Sequence, residues 1–339
     1  MRRTTGGGGR EIRPVYSPAG FDAELRGALE ELRAGHWVAT RTLLARTGTH
    51  WGLRTSRSQV LAVVAAGSQV VEAWLREDPR DPDARMMQAR VNVERAVRAH
   101  RENHRRAAEL EDLARQECRR AAEEMPVDPV PWVCLLALAR LDRGQERGEH
   151  RERAAEPMLP PGPWGLLYRV YERDRYNREA HHRMLHFLHA RAEGHLASRA
   201  SPVDFVRWVS SWAPAGSELL ALPLYAYVEQ FRRQSEQDHN DPLLRRQWAH
   251  GPVARDALTA LTGWFDLTDP AGQSVMDLNH LAHALWAGHR TEEAARVFTA
   301  LGPYFTQQPW RHVAEEAGHP DAARSGFLRA RAESLSWRG

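Results

Sequence analysis

From Ser17 onward the apolar residues of this 339-residue chain recur at three- and four-residue intervals, and no segment alternates apolar and polar residues as a half-buried strand would. This pattern confines the fold to helices packed on helices. The first segment carries Phe21, Leu25, Leu29 and Leu32, with Ser17-Pro18 read as an N-cap followed by Pro at the first helical position, and Gly35 as the stop. A second runs from Trp37 to about Arg46 and ends at Gly48. A third, Ser58 to Glu77, places Val60, Val64, Val71, Trp74 and Leu75 in one apolar run with Gly67 inside it. Residues 1–16 lie ahead of this pattern. They hold Gly6 to Gly9 and Pro14 without periodicity, and read as a disordered tail.

The punctuation between helices repeats. Asp78-Pro79-Arg80-Asp81-Pro82-Asp83-Ala84, Pro126-Val127-Asp128-Pro129-Val130-Pro131-Trp132 and Asp174-Arg175-Tyr176-Asn177-Arg178-Glu179-Ala180 each join a turn to an Asp or Asn cap and a fresh helix start. Taking Asp81, Asp128 and Asn177 as equivalent, the spacings are 47 and 49 residues. A period in this range, with two helices per unit, predicts an array in which each unit buries its apolar face on its neighbours. The expected organisation is one helical-repeat domain over 17–335, with a subdivision near 157–162.

One stretch near the C-terminus is sharper. Leu278, Leu281, Ala282 and Leu285, then Thr291-Glu292-Glu293-Ala294 and Phe298, closely resemble a tetratricopeptide repeat over about 278–302. The small Ala282 and Ala294 allow two helices to approach closely. His289 stands where that family usually has Gly, and Leu301 where it usually has Ala. The resemblance implies an all-α solenoid of antiparallel helix pairs, TPR-like with irregular repeats. It also implies a concave surface for a protein or peptide partner, met by Asn279, His280 and His283 by position. These residues do not reproduce the family's carboxylate-clamp pattern.

Composition removes several chemistries. All 47 basic residues counted as Lys or Arg are Arg. Phosphate-binding loops of the G-x-x-x-x-G-K type, protein kinases, Schiff-base enzymes and Ser-x-x-Lys acyl-transfer sites all need a Lys. The net charge is only +3, and the 98–124 stretch balances seven Arg against seven acids, a solvated helix rather than a phosphate-binding stripe. Nucleic-acid binding would instead require Arg54, Arg57 and nearby cations on one exposed face. Cys118 and Cys134 stand sixteen residues apart with no framework around them, and read as buried cytosolic thiols. No apolar stretch reaches membrane-spanning length and no signal sequence is recognisable, so the expected location is the cytoplasm, with no membrane partner. Terpene cyclases share the helical content, length and Trp richness, yet their Asp-rich metal motif has no counterpart: Pro79 and Pro82 separate Asp78, Asp81 and Asp83.

Two constellations remain. Glu179, His182, His186 and His189 form a stripe on the flank of a helix whose core face carries Met184, Leu185 and Leu188, with His181 at its centre. Glu179-x-x-His182 is the spacing of di-iron bundle ligands, and Glu236-x-x-His239 or Glu316-x-x-His319 would have to face it. The structural alternative is a polar flank between repeats. Phe205, Trp208 and Trp212 share one face of the next helix, either as mortar between helices or as the lining of a partner groove. The expectation is therefore a non-enzymatic scaffold or adaptor without a cofactor, its partner-binding residues drawn from Asn279, His280, His283, Trp208 and Trp212. The alternative is a metal-dependent helical-bundle enzyme using Glu179, His182 and His186.

Overall fold

The computed structural model describes residues 12–194, 198–237, 246–269, 272–311 and 321–336. Sixteen α-helices lie among the described residues, with isolated bridges but no β-strand. They are α1 (Ala23–Arg33), α2 (Val38–Thr47), α3 (Trp51–Ala65), α4 (Val70–Glu77), α5 (Pro82–Arg101), α6 (Ala107–Glu124), α7 (Val130–Ala139) and α8 (Trp164–Tyr171). There follow α9 (Arg178–Glu193), α10 (Ser201–Trp212), α11 (Leu222–Gln237), α12 (Gly251–Gly263), α13 (Val275–Ala287), α14 (Thr291–Leu301), α15 (Gln307–Trp310) and α16 (Ala322–Ser336). The fold is all-α, and helices adjacent in sequence pack on one another, as a helical repeat requires. Among the described residues no single helix is long and apolar enough to cross a membrane.

The Asp and Asn junctions are the helix starts that the spacing predicts. Asp81 caps α5 by accepting from the Asp83 amide, Asp128 accepts from the Val130 amide at 2.8 Å, and Asn177 caps α9 by accepting from the Ala180 amide at 3.0 Å. At the N-terminus the cap is Asp22, whose carboxylate takes the Leu25 amide at 2.9 Å, while residues 18–21 form a turn. The Ser17-Pro18 start is therefore displaced by a stronger acceptor a few residues on.

The expected single run from Ser58 to Glu77 is two helices, α3 and α4, bent by 110°. Arg95 of α5 explains the break. Its guanidinium donates to the carbonyls of Ala66 (3.2 Å) and Ser68 (2.5 Å), so acceptors that a continuing helix would use are satisfied from outside. Pro223 starts a helix rather than kinking one: the 3₁₀ turn Glu218–Ala221 leads directly into α11.

The buried apolar side chains form two clusters. One spans Ala19 to Ala226, and Leu159, within 157–162, and Trp164, just after it, both belong to it. The other runs from Leu220 to Ala330, and the two meet around the 3₁₀ turn at 218–221. The α13–α14 pair, where the repeat resemblance is sharpest, sits in the second cluster with Leu278, Leu281, Ala282, Ala294, Phe298 and Leu301 all buried. His289 adopts φ +59, the left-handed conformation for which Gly is the usual residue after a helix.

The first described segment of the chain lies against residues 303–305. Val15, within the stretch read as tail, donates to the Pro303 carbonyl (2.8 Å) and accepts from the Phe305 amide (3.1 Å). Phe21 meets the Tyr304 ring edge-on at 5.1 Å, and Arg26 donates to the Tyr304 hydroxyl at 3.1 Å. Residues 1–11 of that tail lie outside the described residues.

Candidate functional site

Polar side chains inside the protein tie distant helices together. Arg54, on α3, donates to Asp128 (2.9 Å) and Asp83 (2.5 Å); Arg57 donates to Asp22 (2.7 Å), Glu24 (2.9 Å) and Thr47 (2.8 Å). Both arginines are buried, so they do not form the exposed cationic face that contact with DNA would need. Arg90 grips both oxygens of Glu179 (3.0 and 2.6 Å) and also donates to Ser58 and the Thr55 carbonyl. Arg178 grips Asp277 (2.6 and 2.5 Å), and Tyr225 donates its hydroxyl to the same carboxylate.

Of the histidine stripe, Glu179 and His182 are part of this interior, while His189 is half-buried and His186 exposed. Glu179 is committed to Arg90 and Arg183; against the cost of burial, those two cations hold its carboxyl down to about 2. His182 stands edge-on to Tyr225 at 4.4 Å, and His280 stacks on the other side of the network at 3.6 Å from the same ring. Glu179, His182 and His186 do not converge as a ligand set, and no group of three or more His, Cys, Asp or Glu suited to a metal occurs among the described residues. The facing pairs ending in His239 and His319 lie outside those residues.

Asn279, His280 and His283 are also interior. Asn279 accepts from Trp310 Nε1 at 2.7 Å, His280 donates Nδ1–H to the Met276 carbonyl (2.9 Å), and His283 packs edge-on to Trp248 at 4.7 Å. Their relative exposures of 0, 3 and 2 % place them in the packing of α13 rather than on a surface.

Trp208 and Trp212 are placed differently. The buried Trp164 and Phe205 are the root of an aromatic ridge along α8 and α10; Trp208 meets Trp164 at 5.9 Å and Trp212 at 5.5 Å. Trp212 then contacts Tyr171, His181 and Tyr176, with the Arg175 guanidinium 5.4 Å above it. His181 is fixed by two bonds, Nδ1–H to the Asn177 carbonyl and the Tyr171 hydroxyl to Nε2, and burial pushes it down to about 4. Trp208 and Trp212 are half-buried, while Tyr168 and Tyr176 are exposed at 36 and 44 %. Trp212 Nε1–H has no hydrogen-bond partner within the described structure.

Beyond Trp212 the chain turns through 213–217 into a cavity of about 520 Å³ lined by Tyr176, Ser217, Glu218, Trp264, Thr268 and Gln273, among others. Gly216, at φ +82, makes this turn and donates its amide to the Gly263 carbonyl at 2.6 Å. Burial, opposed by Arg178 and reinforced by Asp277 and Asp174, pushes the Glu218 carboxyl up to about 7. Sequence reasoning passed over Glu218, because a lone Glu after a Ser cap reads as an ordinary helix start.

Searches against protein-family profiles, curated proteins and solved structures returned no match to this chain. The class defined by the fold is thus an all-helical protein whose adjacent helices pack as in a helical repeat.

Proposed function

We propose that this chain is a non-enzymatic scaffold or adaptor, a TPR-like helical array that takes a protein or peptide partner on the ridge of Tyr168, Trp208, Trp212 and Tyr176. The observation that carries this reading is a graded run of aromatic side chains, rooted in the core and open at the top, beside Arg175. Trp, Tyr and Arg are the residues that anchor interfaces, because they desolvate much area while losing little conformational freedom. The ridge replaces the concave positions Asn279, His280 and His283, which are buried within the fold. The metal-dependent alternative is not carried forward, since Glu179 is already neutralised by two arginines.

Selection from a displayed library of random linear peptides against the full chain tests the proposal. The expected result is a recurring motif with an aromatic or acidic anchor, lost on Trp212→Ala and weakened on Tyr168→Ala. No enriched motif, or a motif indifferent to both substitutions, overturns it.

A further inference from the structure

The cavity beside Glu218 has an unbalanced charge. Arg178, the nearest cation, spends its guanidinium on Asp277 at 2.5–2.6 Å and leaves Glu218 at 3.9 Å. Those two opposite charges cancel one another. Asp174, bound only to the neutral amide of Asn177 at 2.9 Å among its side-chain contacts, adds a second negative charge nearby. Around the carboxyl of Glu218 stand Asp174 in the turn before α9, Arg178 at the start of that helix and Asp277 on α13. The balance of these fixed charges is acidic.

Other features of the cavity independently favour a donor ligand. Gln273 is 6 % exposed and lines the same space; its amide nitrogen is used by the Phe265 and Thr268 carbonyls and the Thr268 hydroxyl, while Oε1 has no partner. A buried acceptor left open costs free energy until a donor reaches it. The walls also present the rings of Tyr176 and Trp264, and aromatic faces attract cations. An acid whose one neighbouring cation is shared with Asp277, an unpartnered amide oxygen and two aromatic rings all suit the same ligand.

We propose that this cavity binds the charged head of an organic cation, a primary ammonium or a guanidinium, with Glu218 as its counter-ion. The head sits at Glu218, donates to Gln273 Oε1 and lies against the Tyr176 ring. Such a head belongs either to a free amine or to a basic side chain of a bound peptide. The inference goes beyond the partner reading of the ridge and does not depend on it.

Calorimetric titration of the full chain at pH 8 with n-butylammonium, n-butylguanidinium and the neutral 1-pentanol tests the site. Saturable binding of a cation, with the alcohol at least about tenfold weaker, is expected, as is a loss of about tenfold or more on Glu218→Gln. Tyr176→Ala, at an exposed position that folding tolerates, is expected to weaken the cation several-fold; Glu172→Gln, at an exposed carboxylate just past α8 that does not line the cavity, leaves it unchanged. Because cation binding requires ionised Glu218, affinity rises between pH 6 and pH 8. The blocked tripeptide acetyl-Gly-Arg-Gly-amide separates the two sources: tighter binding than n-butylguanidinium assigns the site to a peptide side chain, weaker binding to a free amine. Equal binding of alcohol and cation, an unchanged affinity in Glu218→Gln, or no saturable binding of either cation overturns the proposal. Any of these leaves the peptide selection on the ridge standing, so the two readings fail separately.

Discussion

Replacing Glu179 with Gln is the most informative single change to the interior. Glu179 is 5 % exposed and accepts from Arg90 at 3.0 and 2.6 Å and from Arg183 at 3.0 and 2.7 Å. The carboxyl moves from 4.5 to about 2, against burial, because both guanidiniums favour its charged form. At roughly 1.4 kcal/mol per pH unit this is worth about 3 kcal/mol. The same scale follows from the general cost of about 3–5 kcal/mol for removing one partner of a buried ion pair, since Arg90 would keep its charge with nothing to balance it. Glu179→Gln is therefore expected to lower unfolding stability at pH 7 by about 3 kcal/mol. A lowered carboxyl stabilises the fold above its unfolded value near 4.5, and that contribution disappears as pH falls from there to about 2. Urea unfolding followed by tryptophan fluorescence measures the loss. The double variant Arg90→Met, Glu179→Leu should recover most of it, because an apolar pair of similar volume removes both desolvation costs. A loss below about 1 kcal/mol, or a double variant no more stable than the single one, would refute the reasoning.

Other outcomes follow from single positions. His289→Gly is expected to raise stability by about 1 kcal/mol in the same assay, since it relieves a left-handed conformation at φ +59; a fall in stability sinks this account. Gly288→Ala should be destabilising, because a β-carbon there would stand 2.7 Å from the Trp248 carbonyl oxygen, and an unchanged melting temperature argues against the close packing. Burial pushes His181 and His280 down to about 4, so the neutral rings stabilise the fold above 6.5 and that stability drains as pH falls through 6.5 toward 4. Their combined loss between pH 7 and pH 5 is roughly 3–4 kcal/mol. Urea midpoints that hold steady across this range would show those rings to be open to water.

The sequence was most informative where the physics is local. Helical spacing, Asp and Asn caps and glycine stops depend on neighbours a few residues away, so the junctions at Asp81, Asp128 and Asn177 and the α13–α14 pair were readable without coordinates. The break between α3 and α4 was not, because the donor that makes it, Arg95, lies on another helix. The histidine stripe shows the same limit. Periodicity placed Glu179 and His182 on one flank correctly but carried no information about Arg90, 89 residues earlier in sequence, which neutralises that carboxylate. For the aromatic residues, spacing put Phe205, Trp208 and Trp212 on one face. Only packing reveals that this face passes from buried at Phe205 to half-buried at Trp208 and Trp212.

These long-range pairs also bear on where a partner would meet the protein. In an open solenoid the inner helix faces stay accessible, since each unit touches only its neighbours. Here Thr55 on α3 bonds Asn177 at the start of α9, Arg90 on α5 holds Glu179, and Arg178 holds Asp277 on α13. Each contact joins elements that a simple nearest-neighbour array would keep apart, and Val15 links the N-terminal segment to residues 303–305. The side chains that an open solenoid would offer to a ligand are here consumed in holding the helices together. Opening that interior would expose Arg54, Arg90 and Glu179, at about 3–5 kcal/mol for each ion pair parted without replacement. A ligand docking on the outer ridge, or in the cavity at Glu218, bears none of that cost.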